Sequence, residues 1–198
     1  MVMDRGQAHT LEAVTAAMIL VSALVFALQV TAVTPLTGST SSQHIENQQA
    51  AVAEGVLAAA DENDTLAATL LYWNESSGRW HGATSDGYVQ GAPPTAFGNV
   101  LERTFLERGI AFDLSLYYVD ANGERQREPI VDLGEPSDHA STVRRLVTLS
   151  DEDPIRAPNQ SPTGTTLDDA AYLDGLSDAD ENQSLYSVVE VEIVVWRM

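Results

Sequence analysis

The sequence has no cysteine and no lysine. Without thiols there are no disulfide staples, no thiolate nucleophiles and no cysteine-ligated metals, and the redox compartment cannot be read from cysteine usage. Without lysine all ten basic residues are arginine, set against 29 acidic residues for a formal charge of -19. That balance leaves nothing basic to neutralise phosphates, so nucleic acid is not an expected partner. Histidine is scarce too. His9, His44, His81 and His139 show no metal-ligand spacing and read as surface or leader residues. There is also no glycine-rich phosphate loop, nucleophile elbow or HExxH motif. The sequence therefore gives no support for catalysis, and neither a cofactor nor a metal is expected.

What is present is an acidic but foldable chain. With 198 residues, 44% of them hydrophobic, it can supply one anchor and one domain with a real core. Patterned strands and helices run through most of it, which disfavours disorder as the reason for the charge. A folded surface crowded with carboxylates repels itself in dilute buffer, whereas at 1 M salt the Debye length falls to about 3 Å and the repulsion is screened. The composition resembles that of haloarchaeal proteins, which replace lysine by aspartate and glutamate, and implies a salt-adapted source.

Ala13 to Val33 is an uncharged run. At about 1.5 Å per helical residue it spans the roughly 30 Å hydrocarbon core of a bilayer. The reading is a leader over 1–7, a transmembrane helix over 8–34, a hinge and stalk helix over 35–65, and an extracellular domain over 66–198. Pro35 is expected to stop the first helix and Gly38 to Ser42 to form a flexible exit. Two rival readings are a buried soluble helix and a secretory signal peptide cut near Val30-Thr31-Ala32. The apolar run is longer than an ordinary signal core, its leader carries only Arg5 as a positive charge, and Glu12 stands where it begins. Arg5 is offset by Asp4, so charge says little about orientation. Four sequons, at Asn63, Asn74, Asn159 and Asn182, exceed the roughly one expected by chance and place the domain outside the cell, with the N-terminus cytoplasmic.

The stretch Arg5-Gly6-Gln7-Ala8-His9-Thr10-Leu11-Glu12 followed by the apolar run resembles a class III, prepilin-type signal peptide. The leader is similar to those of archaeal type IV pilin-like proteins and TadE-like pseudopilins, in which a Gly precedes the cut and a Glu lies at the fifth mature position. Here cleavage after Gly6 puts Glu12 at position six, and cleavage after Gln7 puts it at five without the Gly. The whole chain resembles uncharacterised haloarchaeal pilin-like families with the same GQAHTLEA start. The resemblance implies a prepilin peptidase and other pilin-like subunits as partners, besides the lipid bilayer, and implies that Glu12 pairs with a neighbouring subunit's N-terminal amine. A carboxylate inside the bilayer costs on the order of 2.5 to 3.5 kcal/mol and needs such a partner. At headgroup level the same Glu12 simply favours the positive end of the helix dipole, worth about 0.3 to 1 kcal/mol.

Beyond the exit, Thr40 and Gln43 can form a capping box, and Ile45, Gln49, Val52, Val56 and Ala60 recur at helical spacing. Leu66 to Trp73 and Arg79 to Ala83 flank the turn-forming Asn74 to Gly78 and read as a hairpin. Thr95 to Arg108 reads as a helix presenting Phe97, Leu101 and Phe105 and capped by Gly109. Ile110 to Val119 alternates and turns at Asp120-Ala121-Asn122-Gly123 into Arg125 to Val131. Val143 to Leu149 and Tyr186 to Trp196 are further strands, the last apolar on both faces and so central or covered. The acidic stretch 150–185 lacks a period and reads as a long exposed loop. Within it Asp178, Asp180 and Asn182 start like a calcium loop, but Gln183 and Val189 stand where Gly and Glu are needed. Tyr72, Trp73 and Trp80 suit either a binding patch or, better, packing across a hairpin. The fold class is α+β: a helical anchor and stalk, then a mostly antiparallel sheet with one or two packed helices. The function expected is a structural or accessory subunit of a pilus-like assembly, with a membrane-tethered binding domain as the alternative.

Overall fold

The computed structural model describes residues 3–176, 178 and 183–197 and, within the first helix, the side chains of 9–28 and of 43 onward. The chain divides into two compact units, Met1–Ile45 and Glu46–Met198. The first helix, α1, covers Met3–Glu62. Its Ala, Leu and Met content favours helix, and the stop expected at Pro35, the flexible exit at Gly38 to Ser42 and the capping box at Thr40 and Gln43 are all corrected by helix that runs through them. A proline forfeits one backbone bond at about 3 kcal/mol, yet ending a helix there requires a second costly nucleation a few residues later. Where the preceding turn continues, no side-chain cap has a free amide to serve.

In the second unit the buried stripe of α1 is Gln49, Ala53, Leu57 and Ala60, with Val56 partly covered. The expected Ile45 and Val52 are instead exposed. Both stripes are legitimate helix faces; the one carrying the larger Leu57 and the small Ala53 allows closer approach to the core. A second correction follows at Leu66. Residues Thr65–Leu70 form a short helix, α2, with Leu66, Thr69 and Leu70 buried. The Thr65 and Thr69 hydroxyls donate back to the carbonyls of Ala60 and Thr65, which suits helix rather than strand. The hairpin is therefore reduced to β1, Trp73–Asn74, and β2, Arg79–Trp80, around the expected turn, where the Asn74 carbonyl accepts from Ser77 and Gly78.

Helix α3, Ala96–Thr104, starts at Thr95, whose hydroxyl accepts from the Gly98 amide. A 3₁₀ turn at Leu106–Arg108 follows, and Gly109, at φ 71°, closes it in the left-handed region that glycine tolerates. Phe97, Leu101 and Phe105 are buried as expected. The remaining strands are β3 (Ile110–Val119), β4 (Arg125–Val131), β5 (Ser141–Ser150), β6 (Pro154–Arg156), β7 (Pro162–Thr166) and β8 (Leu185–Arg197). The main sheet has the order β4-β3-β8-β5 and is antiparallel throughout. Strand β8 is thus central. Its Val191, Ile193 and Val195 lie opposite Leu116, Leu114 and Phe112 of β3. These six side chains are fully buried in one cluster with α3 and the end of α1. Each contributes on the order of 1.5 to 3 kcal/mol by leaving water.

At the β4 edge the Tyr88 amide donates to the Ile130 carbonyl and the Asp132 amide to the Tyr88 carbonyl, which occupies part of the free edge. Gly87 makes that approach possible. It has φ 82°, and a Cβ there would lie 2.6 Å from the Ile130 carbonyl oxygen.

The described part of the stretch 150–185 is not the exposed loop expected. It contains the β6–β7 hairpin and buries Ile155, Leu167, Tyr172, Leu173 and Leu176. Backbone and ring donors pin it down: Arg156 N to Leu71 O at 2.8 Å, Trp73 Nε1 to Ala171 O at 2.9 Å and Tyr172 Oη to Leu70 O at 3.2 Å. The aromatic trio expected at the hairpin is core, with Trp73 edge-on to both Trp80 and Tyr172 at 5.2 and 5.4 Å.

Candidate functional site: the apolar span and the open sheet face

His9–Leu28 is a 20-residue span of mean hydropathy 2.3, none of it buried within the chain. Leu11, Met18, Ile19, Leu20 and Phe26 all stand uncovered. A soluble core helix of this hydropathy would be covered by its own protein. The Thr15 hydroxyl donates to Leu11 O at 2.7 Å and Glu12 O at 3.0 Å, so this polar group needs no water. Glu12 is exposed near the start of the span, its carboxylate 3.7 Å from His9 Nδ1 one turn away. Gly6 and Gln7 are helical, and their side chains lie outside the described residues.

The sequons sit on different supports. Asn63 is exposed beyond the end of α1, its Nδ2 donating to Ala59 O at 2.7 Å. Asn74 is half-buried in the β1–β2 turn, its Oδ1 accepting from Ser76 N. Asn159 is exposed between β6 and β7, where its Oδ1 accepts from both the amide and the hydroxyl of Ser161. Asn182, and with it Asp180 of the calcium-like run, lies outside the described residues.

His81 and His139 have separate partners and do not converge. His81 Nε2 meets Arg156 O at 3.1 Å with its ring against Tyr72, and His139 Nδ1 meets Glu46 Oε1 at 2.8 Å. Among the described residues no three His, Asp or Glu side chains are grouped to hold a metal. A depression of about 510 Å³ beside Gly87 and Tyr88 has two ionisable groups in its lining, Tyr88 and Glu102. Burial, reinforced by Tyr72, pushes the Tyr88 phenol well up, so it stays neutral and donates to the His81 carbonyl. That lining has no nucleophile–base pair.

The feature that motif reading missed is the face of the main sheet turned away from the core. Tyr117 of β3, Glu190 of β8 and Leu146 of β5 lie in one row by register. Arg125 and Arg144 both pair with Glu190, Arg144 pairs with Glu192 at 2.6 Å, and the Tyr117 hydroxyl donates to Glu192 at 3.1 Å. The Arg125 guanidinium also lies 4.3 Å from the centre of the Tyr117 ring. Burial, with help from Glu192, raises the Tyr117 phenol. Farther along the face Asp113 is buried, accepting from Leu133 N at 2.8 Å. Its carboxyl is held above its ordinary range chiefly by burial, aided by Asp132 and opposed by that amide and Arg127.

A single N-terminal helix of membrane-spanning length and hydropathy, joined to an acidic α+β unit, defines the class. Residues 5–195 match the model of a family of unknown function, DUF7288, and the chain belongs to that family. No curated protein and no solved structure matches it.

Proposed function

We propose that this protein is a pilin-like structural or accessory subunit of a type IV pilus-like surface assembly, held in the membrane by its first helix. The observation that carries this reading is that the apolar span and the Gln49–Ala60 stripe buried in the second unit belong to one helix, Met3–Glu62. A secretory cut near Val33 would sever that helix, whereas a prepilin-type cut at Gly6 or Gln7 removes only its first turn and leaves the span on the mature chain. Glu12 then stands close to the new N-terminus, where a neighbour's amine would offset the cost of a carboxylate in lipid. The N-terminus is cytoplasmic and the acidic unit extracellular in this reading, which the exposed Asn63 and Asn159 sequons support. Prepilin peptidase and other pilin-like subunits are the partners it requires. A tethered binding domain that never assembles is the alternative.

Intact mass and N-terminal sequencing of membrane fractions test the cut. The expected mature start is Gln7 or Ala8; a start at Met1 favours the unprocessed tether, and one near Val33 the secretory rival. Glu12→Gln is expected to spare insertion and cleavage yet abolish recovery of pilus components in pull-downs. Equal recovery at equal membrane levels would sink the assembly reading.

A further inference from the structure

We propose that the open face of the β4-β3-β8-β5 sheet is a contact site for a second copy of this chain, formed about a two-fold axis near Leu146 and Val188. Three aliphatic side chains stand out there: Leu146 is 65% exposed, Val119 58% and Val188 48%, on a sheet whose opposite side carries the buried Leu116, Val147 and Val191. Leu146 lies across from Glu190 and Val188 across from Thr148, so Leu146 and Val188 are diagonal neighbours. With Tyr117 and Arg125 they line a shallow depression of about 190 Å³.

Charge selects the occupant. Two chains of formal charge -19 repel over most of their surface. On this face the acids already have partners: Glu190 has Arg125 and Arg144, Glu192 has Arg144 and the Tyr117 hydroxyl, and the buried Asp113 accepts from the Leu133 amide. Three of the chain's ten arginines, Arg125, Arg127 and Arg144, project to it by register with Tyr117 and Glu192. It is therefore a charge-balanced, partly apolar area on an otherwise acidic molecule, where two copies can approach without juxtaposing uncompensated carboxylates. Both signs occur within it, so a two-fold rotation can set an arginine of one copy against a glutamate of the other. Anchoring both copies in one membrane raises their effective concentration, which lets a modest patch suffice. The inference rests on the anchored reading for that last step only. It does not require pilus assembly.

The absence of native cysteine makes the test direct, because one introduced thiol is the only thiol. In the full-length chain in its membrane, Leu146→Cys and Val188→Cys are each expected to give disulfide dimers on mild oxidation. The yield should be about ten-fold above that of Val100→Cys, an exposed site on α3, a ratio equivalent to about 1.4 kcal/mol. Adding Leu146→Glu to the Val188→Cys chain should cut its dimer yield by a similar factor while leaving the melting temperature unchanged, since Leu146 is not part of the core. Yields at 146 and 188 no higher than at 100, an undiminished yield in the Leu146→Glu chain, or cross-links only to a protein of different mass would each overturn the proposal. The Glu12→Gln variant separates the two ideas: loss of pilus components with Val188→Cys dimers retained supports both. Recovery of those components together with dimers removes the assembly reading alone.

Discussion

Two stretches of this chain are rich in aliphatic residues and have opposite fates. His9–Leu28 presents apolar side chains all round and buries none of them. In β8 Val189, Val191, Ile193 and Val195 alternate with other residues and are fully buried. Period makes the difference. An alternating strand offers one apolar face that the rest of the protein can cover, whereas an apolar cylinder needs an apolar surround on every side. Hydropathy without periodicity thus specifies an environment, and hydropathy with periodicity specifies a fold.

The comparison can be broken first with paired truncations of the same residue type. Phe112→Ala, in the core, is expected to cost about 3 to 5 kcal/mol of stability in the second unit. Phe26→Ala, in the uncovered span, should leave that unit's denaturation midpoint unchanged. Chemical denaturation of both variants in detergent, followed by tryptophan fluorescence, measures the two; a comparable loss from Phe26→Ala would mean that the span is packed on the protein.

A smaller effect should separate the two regions by salt. The span has no charge between Ala13 and Val33, whereas most of the 29 carboxylates lie in the second unit. Lowering salt from about 1 M to 0.1 M lengthens the Debye length from about 3 to 10 Å. The melting temperature of the second unit, followed through its strand signal in circular dichroism, is expected to fall over that range while the helical signal of the span persists. Identical melting at both salt levels would remove the halophile reading.

The smallest effect concerns Asp113. Its folded-state pKa is raised from the ordinary 3.8 chiefly by burial, so the folded protein binds that proton more tightly than the unfolded chain. The resulting stabilisation is fully present below pH 3.8 and is lost as pH rises through the raised value. Asp113→Asn keeps an oxygen for the Leu133 amide and removes the buried charge. The variant should melt slightly higher than the natural protein at neutral pH, with the gap closing on acidification. A gap that widens on acidification would show the opposite linkage.

What could be read in advance followed local rules. Ile110 to Val131 was legible because its alternation and the Asp-Ala-Asn-Gly turn agree, and in the fold Asp120 Oδ1 accepts from the amides of Asn122 and Glu124. Thr95 to Gly109 was legible from its cap, its apolar spacing and its terminal glycine. The misreadings were non-local. Leu66 to Leu70 suits strand or helix by composition, and the 3,4 spacing of Leu66, Thr69 and Leu70 against the core decides for helix. The order in 150–176 comes from donors and acceptors about a hundred residues earlier, such as Trp73 and Leu70, which no periodicity registers. At the candidate sites the short motif around Glu12 and three of the sequons could be located by inspection. The open face could not, because Tyr117, Arg144 and Glu190 become neighbours only through strand register.

The position of β8 also sets a timetable. It lies between β3 and β5 yet follows both in the chain, so no strand pairing links the two halves of the sheet until residues 185–197 arrive. Contacts spanning so much sequence form slowly. In the extracellular orientation proposed above, the chain would therefore cross the membrane with its sheet unclosed and complete that sheet only once residues 185–197 had emerged.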